Sequence, residues 1–377
     1  MRQLTAVLTA LLLLCGCWDY REISAATLIA GAAFDLDPAG GYILTAELID
    51  FSHSGKESAP ETLLLTARGA TVPEAAAHLM RTAGKRPYWS HVAAFVVSRD
   101  FAARGLAPLS DFLFHNVDTA LTAAFLVSAL PTAREVLTLR TAGGGAVSYE
   151  IRSVMQNNAF FSQTVADFAY RTMEDLGDGG VCAVLAMAGA FEQDGEAWLD
   201  VSGSAVFDGM RMAAALGAQD TAALLALRGQ PVSGPVTVPL PDGTPCALQL
   251  LQPQAAFEPQ VLPDGRLRMG VRLETGAVIV SAETVGAAAY PDVYQTLEQA
   301  AASALAQSLT GFAARMRRET GLDAFGFGRR FREAMPEAWP AWAEDWDGVF
   351  AGMDISVTVR VRISRSSAGP AILTHNG

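Results

Sequence analysis

The amino-acid sequence predicts a multi-domain α+β protein, in which mixed β-sheets are covered by helices and a C-terminal antiparallel sheet packs against a long helix. Three observations indicate this class. The chain has 377 residues, which is long for a single hydrophobic core, and 51% of them are hydrophobic. Strand and helix patterns alternate in the first part of the chain. In the last part, one long amphipathic helix pattern stands between strand patterns.

The first 17 residues have the pattern of an export signal. The chain starts Met1-Arg2, residues 4–14 are apolar except for two threonines, and Gly16 precedes Cys17. A positive start, a short apolar run and a small residue before the cut are the parts of a signal peptide. A cysteine directly after the small residue is typical of bacterial lipoproteins. We expect cleavage after Gly16 and a diacylglyceryl group on Cys17; the alternative is an ordinary secretory signal with a cysteine nearby.

Two acyl chains on Cys17 would hold the mature protein firmly at the outer face of the cytoplasmic membrane. A second anchor is not predicted. The longest other uncharged segment, residues 299–314, is shorter than the roughly 20 apolar residues of a spanning helix, and it contains several polar side chains.

Residues 17–195 are expected to form an N-terminal α/β domain. Thr71 and Glu74 form a capping box that begins a helix, whose predicted apolar face is Ala75, Leu79, Met80 and Ala83. Strands are predicted at residues 27–34, 42–51, 63–67, 91–97 and 122–128, with short helices at 100–104 and 106–116. Residues 133–178 are predicted to be mostly helical.

Residues 196–260 are expected to be a middle domain or a junction. Strands at 181–191 and 196–207 are predicted to pair around the turn Gln193-Asp194-Gly195. Two small helices follow, at 212–217 and 220–228. Residues 231–260 are rich in proline, glycine and threonine and contain two strand-like segments, at 236–238 and 247–251.

Residues 261–372 are expected to form the C-terminal domain. Apolar residues alternate with charged ones from Leu267 to Leu273, which predicts a half-exposed strand. Residues 292–320 predict one long helix with an apolar face, and residues 353–364 alternate again as a last strand. The helix-face residues are Val293, Leu297, Leu305, Leu309, Phe312 and Met316.

The charge and cysteine content narrow the function classes. The net charge is −12, only two residues are lysine, and there is no basic stripe, so nucleic acid is not an expected partner. Once Cys15 leaves with the leader and Cys17 is lipidated, Cys182 and Cys246 remain. They could pair outside the cytoplasm, or stay as buried free thiols.

Patterns that would indicate catalysis are incomplete. The five histidines (His53, His78, His91, His115 and His375) show no metal-ligand spacing. Gly326-Phe327-Gly328 lacks the third glycine of a dinucleotide loop, and Ser204 lacks the glycines of a nucleophile elbow. The acids Glu344, Asp345 and Asp347 could be catalytic carboxylates or a cation site. Because they flank a predicted helical stripe of Trp339, Trp342 and Trp346, a solvated acidic face is favoured.

Several segments together resemble a known family. The mature start Cys17-Trp18-Asp19-Tyr20-Arg21-Glu22-Ile23 is similar to that of Ger(x)C-type spore germination lipoproteins, and Gly69-Ala70-Thr71 is similar to that family's Gly-x-Thr segment at a helix start. Near the C-terminus the family has an Asp, a Phe-Gly-x-Gly turn, arginines and two tryptophans, in that order. The residues here that are similar, in the same order, are Asp323, Phe325-Gly326-Phe327-Gly328, Arg329-Arg330, Trp339 and Trp346. Ser98-Arg99 departs from the Gly-Glu that the family often places there.

The resemblance implies a three-domain, non-enzymatic subunit of a nutrient germinant receptor, which works with the multi-spanning A and B subunits. It implies a lipid-anchored place on the outer face of the spore inner membrane, and no cofactor or metal. The alternatives are the solute-binding lipoprotein of an ABC importer, for which two similar α/β lobes are missing, and an anchored hydrolase, for which no nucleophile or metal motif is found. The sequence does not indicate the nutrient.

Overall fold

The computed structural model describes residues 26–50, 61–83, 86–115, 122–157, 182–230, 232, 234–239, 243, 245–282 and 291–364. The leader, Cys17 and the second half of the predicted helical segment 133–178 lie outside these ranges. The described part is a mixed α/β structure with two mixed sheets, so the predicted fold class is confirmed.

The first sheet has ten strands, and its centre is parallel. Strands β1, β5, β6 and β7 run parallel side by side, β2 and β3 extend one edge as antiparallel strands, and β9 and β10 extend the other. Two short strands join at the sides, β4 beside β1 and β8 beside β7. The bounds are β1 Ala26–Leu36, β2 Tyr42–Asp50, β3 Glu61–Gly69, β4 Arg86–Tyr88, β5 Ala94–Val97, β6 Ala124–Ser128, β7 Val184–Gln193, β8 Glu196–Asp200, β9 Ser204–Asp208 and β10 Arg211–Leu216.

Helices cover both faces of this sheet because alternate residues of the central strands point to opposite sides. Phe95 and Phe125 pack on one side with α1 (Val72–Thr82), α2 (Arg99–Arg104) and α3 (Ala107–His115). Val96 and Leu126 pack on the other side with α4 (Ala133–Val136) and α5 (Val147–Asn157). A 3₁₀ turn, Trp89–His91, occupies the start of the predicted strand 91–97.

The second sheet has four strands and a long helix on one face. Its order is β11 (Gly234–Pro239), β12 (Pro245–Val261), β13 (Leu267–Ala282) and β14 (Asp354–Ile363). Helix α7 (Pro291–Glu319) packs on it, with Leu297, Leu309, Phe312 and Met316 buried as predicted. Helix α6 (Ala218–Leu227) precedes this sheet, and α8 (Phe327–Ala334), α9 (Pro340–Ala343) and α10 (Trp346–Ala351) follow α7.

The antiparallel prediction for this sheet is correct for β11, β12 and β13 and wrong for β14, which pairs with β13 in parallel. The physical reason is the connection. Helices α7 to α10 carry the chain back along the sheet, so β14 begins at the end where β13 began, as in any strand–helix–strand crossover.

Three further details of the prediction are corrected. The predicted helix 212–217 is strand β10, which pairs with β9 across a tight turn at Gly209. Met80 is 45% exposed and is not part of the buried face of α1, whereas Ala75 and Leu79 are buried. The tryptophan segment is two short helices, α9 and α10, since Asp345 leaves the helical conformation and caps α10.

Candidate functional site

The lipidation site Cys17 lies outside the described residues, so its role stays a prediction. The C-terminal motif, in contrast, is fully described. We call Asp323 to Gly328, together with Trp339 and Trp346, the Asp323 centre, because its members meet around one buried carboxylate.

Asp323 is 6% exposed, and its side chain accepts three hydrogen bonds. Two come from the first turn of α8, from the N–H groups of Phe327 (3.0 Å) and Gly328 (2.6 Å). The third comes from the indole N–H of Trp346 on α10 (3.1 Å). Because unpaired N–H groups at a helix start favour a negative charge, Asp323 is well suited to fix α8 and α10 together.

Burial acts against this negative charge. It raises the pKa of Asp323 above the usual value, while the three hydrogen bonds and the nearby positive charge of Arg228 act in the opposite direction. Arg228 also donates a hydrogen bond to the carbonyl oxygen of Cys182, at 3.3 Å. The Asp323 centre is thus linked electrostatically to the end of α6 and to the segment that enters β7.

The two glycines of the centre are required for different reasons. Gly326 has φ +75°, a left-handed conformation that side chains with a Cβ rarely adopt. Gly328 has ordinary backbone angles, but a Cβ there would lie 2.8 Å from Cε2 of Trp346. The sequence predicted a tight turn at these glycines; it did not predict that Gly328 makes room for a tryptophan.

Aromatic rings complete the centre. The rings of Trp339 and Trp346 are 5.0 Å apart, and Phe331 lies 5.8 Å from Trp342 and 5.9 Å from Trp346. Phe325 packs against Phe312 of α7, at 6.0 Å. The acids Glu344, Asp345 and Asp347 are exposed, as expected for a solvated face. The Asp323 centre therefore holds α7, α8 and α10 together.

Two more buried carboxylates accept hydrogen bonds from a helix N-terminus, and neither is predicted from the sequence. Asp35 of β1 accepts from the N–H groups of Ala133 (2.7 Å) and Arg134 (3.2 Å) at the start of α4. Glu47 of β2 accepts from those of Val147 (2.7 Å) and Ser148 (3.0 Å) at the start of α5. The sequence feature that could have identified them is an acidic residue at an inward-facing position of a strand whose other inward residues are apolar.

Gly69 explains the Gly-x-Thr segment. A Cβ at Gly69 would lie 2.4 Å from the backbone nitrogen of Ala75, so the last residue of β3 must be small for α1 to turn back over it. Thr71 then caps α1 by accepting from the N–H of Glu74 (3.2 Å), and Glu74 accepts from the N–H of Ala70 (2.9 Å). The predicted capping box is present, with its reciprocal bond moved to Ala70.

The other candidate residues are separate from each other. The described histidines lie on three elements: His78 on α1, His91 in the 3₁₀ turn and His115 on α3. Ser204 is fully buried and shares a hydrogen bond with the hydroxyl of Thr221 (2.8 Å). Within the described ranges, no three His, Cys, Asp or Glu side chains are grouped to hold a metal ion.

Cys182 and Cys246 are free thiols, so the open question of their pairing is answered for this structure. Burial raises the pKa of Cys182 to about 12 and also raises that of Cys246. Because the thiolate is the reactive form, both side chains are less reactive at neutral pH than an exposed cysteine.

No helix in the part of the chain that the structure describes, α7 included, combines the length and the apolar character needed to cross a bilayer.

Comparisons with known proteins agree at three levels. Residues 19–188 match a family described as the spore germination protein N-terminal domain, and residues 202–367 match one described as spore germination B3/GerAC like, C-terminal. A candidate spore germination protein of Bacillus subtilis (strain 168), YfkR, is 23% identical over 97% of this chain and 96% of its own. The crystal structure of the GerBC protein has the same fold, with a TM-score of 0.54 and 14% identity over 88% of this chain and 96% of that chain.

Proposed function

This chain belongs to the GerAC-like family of spore germination proteins, and from that membership we propose that it is the membrane-anchored C subunit of a nutrient germinant receptor. In this proposal it acts by binding and assembly and performs no catalytic step. Its partners are the multi-spanning A and B subunits, and its place is the outer face of the spore inner membrane.

The observation that carries the proposal is the order of features along the chain. A leader with a Gly16-Cys17 junction stands directly before two spore germination domains that together run from residue 19 to residue 367. A lipid anchor on Cys17 would confine these domains to the membrane surface. Confinement raises the effective concentration of a partner, so weak contacts with membrane subunits would suffice. The Asp323 centre fits an assembly role, because its buried carboxylate accepts hydrogen bonds from α8 and α10 and so joins two helices.

The experiment replaces Cys17 in spores that lack the native copy. Cys17→Ala should abolish incorporation of a fatty-acid label, lower nutrient-triggered germination and reduce the amounts of the A and B subunits in the membrane. The matched control is Cys15→Ala, which changes a cysteine of the leader and keeps the Gly16-Cys17 junction.

Two results would contradict the proposal. Equal labelling of wild type and Cys17→Ala would remove the lipidation site. Full germination by an unlabelled, well-folded Cys17→Ala protein at normal abundance would remove the anchored-assembly mechanism.

A further inference from the structure

A cavity of about 670 Å³ lies between α6, α7 and the second sheet. Helix α6 supplies one wall through Ala222 and Ala226, and α7 supplies the facing wall through Leu305 and Ser308. Leu273 of β13 lies on the sheet side. The volume is within the range of roughly 300–1,000 Å³ that small-molecule sites occupy.

The described lining is largely apolar. Its side chains are mostly alanine, leucine, valine and proline, and none of the lining residues that the structure describes is Asp, Glu, Lys, Arg or His. An ion placed here would lose part of its hydration without gaining a partner of opposite charge among these residues, which is unfavourable. An uncharged occupant with a mostly aliphatic surface is therefore favoured.

A few polar groups remain to orient such an occupant. The amides of Gln219 and Gln230 and the hydroxyls of Ser308, Thr237 and Thr275 line the cavity. Thr275 is 7% exposed, and its hydroxyl lies 2.9 Å from the carbonyl oxygen of Gly276 and 3.2 Å from that of Leu251. In these bonds Thr275 only donates, so its oxygen can still accept a hydrogen bond from the occupant.

We propose that this cavity binds one uncharged molecule that has an aliphatic body and a single hydroxyl or amide group. The inference rests on the cavity alone and does not depend on the proposed membrane assembly. The occupant would contact α6, which follows the ten-stranded sheet, and α7, which packs on the second sheet. Binding to the folded form alone would therefore stabilise the contact between these two parts.

The test uses the full chain and a photoreactive probe, a decanol that carries a diazirine in its chain. The probe is added to the protein in phosphatidylcholine vesicles and, separately, in a lipid-free amphipol. After illumination, peptides are mapped by mass spectrometry. We expect saturable labelling of α6 and of residues 304–309 in α7, competed by unlabelled decanol and not by the anionic decanoate.

Two variants fill the cavity from opposite walls. Ser308→Phe and Ala222→Phe should each reduce the labelling about tenfold, which corresponds to a modest loss of binding free energy. The control is Ser303→Phe, since Ser303 is also an exposed serine of α7 but does not line the cavity. Circular dichroism and resistance to trypsin establish that each variant is folded.

The two media distinguish the source of the occupant. Labelling in both media supports a free small molecule as the occupant, whereas labelling only in amphipol would show that an acyl chain of zwitterionic phosphatidylcholine fills the cavity in vesicles, and would overturn the proposal. Labelling that is not saturable in either medium, or that persists in folded Ser308→Phe and Ala222→Phe, would overturn the proposal.

Discussion

At the scale of single residues, three buried carboxylates each hold the start of a helix. Asp35, Glu47 and Asp323 are at most 6% exposed, and each accepts backbone N–H bonds from a helix N-terminus. The helix dipole and these bonds favour the charged form, whereas burial favours the neutral form. For all three, burial is the larger effect and raises the pKa.

Glu47→Gln tests this balance. With a raised pKa in the folded state, Glu47 ionises first in the unfolded chain as the pH rises. Its contribution to stability is therefore complete below the unfolded pKa and is lost as the pH rises through the folded pKa. Since glutamine cannot ionise, the destabilisation by Glu47→Gln should be largest in acid and shrink with rising pH. Urea unfolding at a series of pH values measures it, with exposed Glu337→Gln as the control. A loss of stability that grows with pH would mean that the hydrogen bonds from Val147 and Ser148, which favour the charged form of Glu47, outweigh the effect of burial.

Asp323→Asn should lower the free energy of unfolding by about 2–3 kcal/mol, because an amide offers one acceptor oxygen where three donors converge. Urea unfolding of the full chain measures the loss. The exposed turn residue Asp264, replaced by Asn, should leave the unfolding midpoint close to that of wild type. Equal midpoints for both variants would show that the buried donors find other acceptors.

At the scale of elements, α7 carries a glycine that its packing does not need. A Cβ at Gly311 would meet no atom within 4 Å, and Gly311 lies inside a 29-residue helix. Gly311→Ala should therefore raise the free energy of unfolding by about 0.5–1 kcal/mol.

The same substitution at Gly328 should have the opposite sign. Gly328→Ala places a Cβ against Trp346 and should cost about 1–3 kcal/mol, typical of overpacking in a filled site. Both variants carry the same Gly→Ala change, so a difference in their stability comes from the surroundings of the two glycines. If thermal unfolding shows that both variants are equally stable, Trp346 can move to make room for the added Cβ, and the Asp323 centre is less tightly packed than its distances indicate.

Elements with a strong local pattern were predictable from the sequence. The capped helix α1, the hairpin of β1 and β2 and the long helix α7 all carry their signals within one segment. Strand β10 does not: its alanine-rich sequence has helical propensity, and only pairing with β9 makes it a strand. The direction of β14 also depends on a distant partner. At the Asp323 centre the turn was predictable, but the hydrogen bond from the indole N–H of Trp346 to Asp323 was not, since 23 positions separate the two residues.

At the scale of the whole molecule, one apolar core joins the two sheets. It continues from Ile151 of α5, which packs on the large sheet, through Leu224 of α6 to Val271 of β13 and Phe331 of α8. Arg315 of α7 adds a polar link by its ion pair with Asp220 of α6. The described parts on either side of α6 are therefore expected to unfold together.

Leu224→Ala tests this coupling, because Leu224 is fully buried within the shared core. The loss should be about 2–5 kcal/mol, as for other leucines truncated in a core. Hydrogen exchange should show that β5, β6 and β13 lose protection by a similar free energy. Loss of protection confined to α6 and the second sheet would indicate two independent folding units.

The parallel pairing of β14 also sets an order in time. Arg268 of β13 pairs with Asp354 of β14, 86 positions later. At a synthesis rate of about 5–20 residues per second, β14 follows its partner by roughly 4–17 s. During that interval the edge of β13 has no neighbour on this side, and it is open to proteases and to strand pairing with other chains. A chain that ends at residue 353 should remain in that condition, so pulse labelling should show rapid degradation of the truncated protein and a brief protease-sensitive phase in the complete one.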